Sequence, residues 1–193
     1  MPFATSAYSA RNASGFTLLE LMVTVALAGI LIMIAVPSFS EMIKNNRLSA
    51  QINELTAATN LARSEAIKRN QPVTICRSAS GTACAAGWPS STNGWLVFVN
   101  PNNNSSLDGG EEILRVNKEI SGNNTLKYSS SLLTYTPQGD VPTFNGTFVL
   151  CDDRGATQAK GLIVLPSGLT RKAVDNNNDN LVEDINGTNV TCP

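Results

Sequence analysis

The chain has 193 residues, enough for one folded domain with an additional segment. Its 14 basic and 15 acidic residues give a net charge of −1, so overall charge offers no basis for binding nucleic acid or anionic lipid. Histidine is absent, which removes the commonest general base and the commonest transition-metal ligand.

The first long element is an apolar run over residues 16–36, in which Glu20 is the only charged residue. Residues 1–15 before it are small and polar and contain no segment suited to a bilayer. As a helix the run would extend roughly 31 Å, about the hydrocarbon thickness of a membrane. A secretory signal peptide would show a small-residue cleavage site after the run, and residues 37–51 show none. The sequence favours a retained membrane helix over residues 16–38.

An amphipathic pattern follows over residues 39–70, with apolar residues at three- and four-residue steps and charges between them. Pro37 lies between the two helical segments and removes one backbone donor. Because the helical pattern resumes at once, we expect Pro37 to kink a single long helix rather than end it.

After residue 71 the pattern changes to short β-branched and aromatic runs separated by turn residues. Candidate strands cover residues 73–77, 95–99, 112–116, 126–129, 132–136, 147–151 and 161–165. These features predict an α+β protein in which residues 71–193 form a β-rich domain, with an antiparallel sheet laid on the polar half of the helix.

Four cysteines lie in the C-terminal part, and an even count behind an export-type N-terminus indicates two disulfides in an oxidising compartment. Four cysteines allow three connectivities. We favour Cys76–Cys84 with Cys151–Cys192, because the local pair spans turn-forming residues and leaves the other pair to close the tail. A four-cysteine zinc site is the alternative, but the sequence has no CxxC spacing.

A polar stretch over residues 175–186 has oxygen-bearing side chains at the spacing of an EF-type loop: Asp175, Asn177, Asp179 and Glu183. Asn180 replaces the turn glycine, and Asn186 stands where a bidentate glutamate is usual. A structural Ca²⁺ and an ordinary solvated loop are both compatible with this pattern. No other cofactor is expected.

The N-terminal residues resemble those of type IV pilins and type II secretion pseudopilins. A polar leader ends in Gly15, and Phe16, Glu20 at the fifth following position and Pro37 lie in the family's register. Residues 61–76, 94–100 and 111–116 are similar to the GspH/FimT subfamily, most like the FimU and FimT minor pilins. The resemblance implies the type IV pilin-like fold.

In that family a prepilin peptidase removes the leader, which implies cleavage between Gly15 and Phe16 and N-methylation of Phe16. The resemblance also gives Glu20 a partner, the new amino terminus of Phe16 on its own or a neighbouring subunit. The alternative is that Glu20 reaches the headgroup region. Glu20 and Pro37 are therefore the candidate assembly residues.

The resemblance implies a minor pilin near the tip of a type IV pilus that helps to prime assembly and supports pilus-dependent functions. Its partners would be other major and minor pilins or pseudopilins, and its location the inner membrane, with a periplasmic C-terminal domain, before it joins the surface fibre. A type II secretion minor pseudopilin of the GspH kind is the close alternative. An enzyme is not expected, since no phosphate-binding loop or nucleophile elbow is present.

A DNA-binding minor pilin for DNA uptake is a further alternative. Some FimT-type proteins carry a Gly-Arg-x-Arg motif, and the comparable residues here are 168–172, with Leu169 in place of the first arginine. Arg171, Lys172, Lys160 and Arg154 could still form a small basic patch, although DNA binding usually needs several clustered cations. Arg171 and Lys172 are the candidate phosphate contacts.

Overall fold

The computed structural model describes residues 15–88 and 93–192. Apart from Gly15, the leader predicted for residues 1–15 lies outside the described residues. The chain is α+β, as predicted, and its elements in order are α1 (Leu18–Arg69), β1 (Val73–Ser78), β2 (Asn93–Val99), β3 (Ile113–Glu119), β4 (Thr125–Tyr128), β5 (Leu133–Tyr135), β6 (Gly146–Cys151), a 3-10 turn (Ala156–Gln158), β7 (Lys160–Val164) and β8 (Thr170–Lys172).

Helix α1 has 52 residues and includes Pro37, which does not end it. Its last turn is closed by Asn70, whose φ of 52° is left-handed and whose N–H bonds to the Ile67 carbonyl at 3.3 Å. The Gln71 N–H reaches the Ala66 carbonyl at 3.2 Å, which completes a Schellman motif. This cap fixes the point at which the chain leaves the helix for β1.

The chain divides into two units, residues 1–42 and residues 43–193. Within the second unit, α1 buries one stripe at three- and four-residue steps, as expected for a helix with one apolar face: Leu48, Ile52, Leu55, Ala58, Thr59, Ala62 and Ala66. Phe39, Met42 and Ile43, which share the predicted amphipathic pattern, are more than half exposed. The buried stripe of the helix therefore begins at Leu48, whereas the predicted amphipathic pattern begins at residue 39.

Two four-stranded antiparallel sheets, rather than one, make up the β structure. Sheet A has the order β3-β2-β1-β5, and sheet B has the order β4-β6-β7-β8. Alternate residues of each sheet join the main core with α1: Val73, Ile75, Trp95, Val97, Leu133 and Tyr135 from sheet A, and Leu126, Tyr128, Phe148, Leu150, Leu162 and Val164 from sheet B. Strand β8, after residues 166–168, is the one strand among the described residues that the sequence pattern did not predict.

Each sheet also carries apolar residues on the face turned away from α1. Loop or tail residues cover this face in both sheets. On sheet A the covered cluster is Cys76, Leu96 and Phe98, packed with Cys84 and Leu107. On sheet B it is Val149 and Cys151, packed with Ala159, Val182, Val190 and Cys192. We call these the outer cluster of sheet A and the outer cluster of sheet B.

Candidate functional site

The N-terminus of α1 brings together the residues that the sequence singled out for processing and assembly. Gly15, Phe16 and Thr17 precede the helix, which begins at Leu18. The Thr17 hydroxyl accepts a hydrogen bond from the Glu20 N–H at 3.2 Å, so Thr17 is the N-cap. The sequence analysis missed Thr17, although Thr-x-x-Glu over residues 17–20 is the capping-box signature.

Glu20 lies in the first turn of α1, where a negative charge interacts favourably with the positive end of the helix dipole. No hydrogen bond or ion pair within residues 15–88 and 93–192 engages its carboxylate. Phe16, four positions earlier, is 85% exposed. The Glu20 carboxylate is therefore available at the start of an apolar helix. An anionic group in that position would attract an amine.

The apolar part of α1 is exposed within the described part of the chain. Of the described helices, α1 is the one that meets the length and composition of a membrane span, with an 18-residue stretch of mean hydropathy 2.5 that is entirely unburied. Pro37 lies within this exposed part of the helix. Such a surface requires a bilayer or neighbouring apolar helices to remove it from water.

Both disulfides lie in the outer clusters of the sheets. Cys76 on β1 is joined to Cys84 in the following loop, with their Cα atoms 5.6 Å apart. Cys151 at the end of β6 is joined to Cys192 in the tail, with their Cα atoms 5.9 Å apart. This is the pairing favoured from the sequence, and no free cysteine remains. Each bond therefore holds a covering segment against the sheet that it covers.

The candidate calcium ligands are engaged by protein donors. Asp175 accepts hydrogen bonds from the N–H groups of Asn178 and Asn180, at 2.7 and 2.8 Å. Glu183 is buried, and its carboxylate accepts the backbone and side-chain N–H groups of Asn176. Within the described ranges, no three acidic or cysteine side chains come together in a group suited to a metal. Calcium binding in this loop stays a prediction.

Asp179 and Asn177, the other two candidate ligands, also face their own loop. The Asp179 carboxylate accepts hydrogen bonds from the Asn189 and Asn177 side chains and from the Leu181 N–H. The hydrogen bond from Asn189 is the main cause that lowers the pKa of Asp179. Amide groups of the loop and of Asn189 therefore engage this carboxylate.

Arg171 and Lys172, the candidate DNA contacts, are neighbouring exposed residues on the edge strand β8. Lys172 lies opposite Leu162 and Arg171 opposite Ile163, so the two side chains leave opposite faces of sheet B. The structure therefore does not combine them into one cationic patch.

Two protein-family models match the chain. The model described as Type II transport protein GspH matches residues 51–168, and the prokaryotic N-terminal methylation motif matches residues 10–36. No curated protein sequence matches the chain.

Among solved structures, the chain is similar in fold to the type IV minor pilin FimU of Pseudomonas aeruginosa strain PAO1. The P21 crystal form is 24% identical with a TM-score of 0.50, over 66% of this chain and 89% of that chain. The P65 form is 21% identical with a TM-score of 0.49, over 65% and 92%. Because the GspH model spans more than half of the sequence and the methylation motif covers its N-terminus, the chain belongs to the GspH family, and its fold is that of type IV pilins.

Proposed function

We propose that this chain is a minor pilin of a type IV pilus, located near the tip, where it helps to prime fibre assembly and supports pilus-dependent functions. The observation that carries the proposal is the unburied apolar part of α1, with Glu20 as its only charge. An ionisable residue in such a segment is expected to have a partner, and a subunit amino terminus supplies one. A fibre core of packed helices would also remove the apolar surface from water.

The proposal divides the chain by role. A prepilin peptidase removes residues 1–15 and methylates the amine of Phe16, after which residues 16–38 anchor the protein in the inner membrane and later enter the fibre core. Residues 39–70 continue the helix, and residues 71–193 form the periplasmic and then extracellular domain. Glu20 pairs with the Phe16 amine of its own or a neighbouring subunit, and the adjoining subunits are other pilins.

Processing is tested by the intact mass of the protein from its host. The wild type should lack residues 1–15 and carry one methyl group on Phe16, whereas Gly15→Leu should accumulate as the unmethylated precursor. Gly29→Ala is the matched control, because a Cβ at Gly29, as at Gly15, meets no atom within 4 Å. Equal processing of Gly15→Leu and wild type would contradict the proposed cleavage.

The role in the fibre is tested by deleting the gene and measuring surface piliation, protein secretion and DNA uptake in parallel. We expect piliation to fall strongly, with secretion unchanged. Loss of secretion with normal pili would instead support a type II pseudopilin, the alternative that the description of the GspH model favours. Loss of DNA uptake with normal pili would support the DNA-binding alternative.

A further inference from the structure

A cleft lined by two lysines lies between α1 and strands β7 and β8 of sheet B, away from the N-terminal site. It has a volume of about 220 Å³, and its lining includes Ser49, Ile52, Lys160, Gly161, Lys172 and Val174. Lys172 lies opposite Leu162, and Lys160 is two residues before Leu162 on the same strand, so both lysines share the helix-facing side of the sheet. The lining of the cleft thus includes two lysines and no acidic residue.

The two lysines are available to a ligand. No hydrogen bond or ion pair within the described residues engages Lys160, Lys172 or the Ser49 hydroxyl. Asp175, the nearest acidic residue in sequence to this lining, is turned into its own loop by the N–H groups of Asn178 and Asn180. The cleft therefore presents unneutralised positive charge and a free hydroxyl.

The rest of the lining is small and apolar. Besides the two lysines and Ser49, it consists of Ile52, Gly161, Ala173 and Val174. Val174 at the rim is 49% exposed. An occupant that matches this lining is an anionic group on a short apolar stem, as in a glutamate or aspartate side chain beside an aliphatic residue.

We propose that this cleft binds a carboxylate side chain from an acidic loop of a different, neighbouring pilin subunit. The inference rests on the proposed function, because it takes the neighbour to be a pilin in the same fibre. Complementary charge at such a contact favours the correct neighbour and the correct register.

The same observations disfavour a nucleic-acid backbone as the occupant. Binding to DNA requires several cations that neutralise successive phosphates, whereas the cleft offers two lysines around a small cavity. Arg171, the adjacent cation, lies on the other face of the sheet and does not extend this patch.

The first test measures recovery of the full-length, processed protein in filaments sheared from the host, relative to the cellular pool. The double variant Lys160→Glu, Lys172→Glu should reduce recovery about tenfold, because its two carboxylates would repel the carboxylate of the neighbouring subunit. Lys160→Arg with Lys172→Arg should preserve it. Lys118→Glu is the matched control, since Lys118 is an exposed lysine of β3 in the other sheet. Thermal unfolding of each variant shows whether folding is retained.

The second test identifies the partner group by carbodiimide cross-linking of intact filaments, which joins an amine to a carboxylate in contact with it. Peptide mass spectrometry should find Lys160 or Lys172 linked to an aspartate or glutamate of another pilin, and the arginine variant should lose that link. A link formed only between two copies of this chain would overturn the assignment to a different subunit.

Three further outcomes separate the possible failures. Absence of the wild-type protein from filaments would refute the proposed function. Normal recovery of the double glutamate variant, with the wild type present, would refute this inference and leave the proposed function standing. A DNA mobility shift by the wild type that the double glutamate variant loses would reassign the cleft to nucleic acid.

Discussion

The Thr17 hydroxyl accepts a hydrogen bond of 3.2 Å from the Glu20 backbone N–H. Glu20, the only charged residue of the apolar run, is therefore also the third residue of a capped helix. Its backbone is satisfied locally while its carboxylate has no partner among the described residues. The contribution of Glu20 to the helix start and its proposed role in assembly are therefore separable by mutation.

Glu20→Gln should abolish the pairing with an amine and leave the helix start intact, because glutamine at this position preserves the capping-box pattern. We expect normal cleavage and methylation but at least about tenfold less protein in filaments, since a neutral amide replaces the charge-assisted contact. Mass spectrometry of the N-terminus and filament recovery are measured together. Unchanged recovery would contradict the assembly role of Glu20.

Thr17→Ala should remove the N-cap at a cost of about 1 kcal/mol to the first turn of α1. In detergent micelles, amide hydrogen exchange at Glu20 should then accelerate about fivefold, because its N–H loses its acceptor. Thr17→Ser, which keeps the hydroxyl, should exchange as the wild type does. Equal exchange in all three proteins would show that the hydroxyl does not protect this amide.

The two disulfides should differ in their contribution to stability, since they close loops of different length. The sequence separations are 8 residues for Cys76–Cys84 and 41 for Cys151–Cys192. On the loop-entropy model, replacing each pair with serines lowers the free energy of unfolding by about 2.5 and about 4 kcal/mol respectively. Urea denaturation of both double variants checks the order, and a larger loss from the Cys76–Cys84 pair would contradict it.

Gly168 should tolerate substitution less well than Gly155, although both have left-handed backbones with φ of 76° and 81°. A Cβ at Gly168 would lie 1.9 Å from the Gly139 carbonyl oxygen, whereas a Cβ at Gly155 meets nothing within 4 Å. Gly155→Ala should cost about 1 kcal/mol from backbone strain alone. Gly168→Ala should cost a further 1–3 kcal/mol, on the order of an overpacked site, as measured by thermal unfolding.

Arg69 should make the stability of the domain depend on acid pH. It donates hydrogen bonds to Glu65 at 2.6 Å and to Glu112 at 2.5 Å, and these bonds lower the pKa of both carboxyl groups. Since the folded-state pKa values are depressed, the stabilisation is present above the ordinary glutamate pKa of about 4.3 and is lost as the pH falls through the lower folded values.

Arg69→Met should therefore lose less unfolding free energy than the wild type when the pH is lowered from about 6 to about 3. Urea denaturation at several pH values measures the difference. Lys118→Met, which removes an exposed cation from β3, should retain the pH profile of the wild type. Parallel profiles for Arg69→Met and wild type would show that the ion pairs contribute nothing to acid stability.

The sequence pattern predicted the helix and seven of the described strands because their apolar periodicity is local. It did not predict β8, whose three residues Thr170–Lys172 include no buried side chain. Nor did it predict that the strands divide into two sheets, because that division depends on contacts distant in sequence. Strand β5 illustrates this, since it follows β4 in the chain but pairs with β1.

The candidate site was predictable to a similar degree. The cysteine spacing favoured the pairs that the structure contains. Gly15, Phe16 and Glu20 lie within one six-residue motif, and their roles in processing and assembly stay predictions. The sequence grouped Lys160 with Lys172 only as members of a possible basic patch. The cleft that they share was not predicted, because it depends on the register of β7 with β8 and on the approach of α1 to sheet B. A local pattern identifies a motif, whereas a cleft requires the tertiary arrangement.

The bond between Cys151 and Cys192 also affects how the protein would survive damage outside the cell. Any single proteolytic cut between these two residues leaves both fragments covalently attached. The cut tail would also still be held against sheet B by Val182 and Val190, which pack in its outer cluster. An exposed fibre component of this design would therefore tolerate nicks in its most polar loop without losing the cover of its sheet.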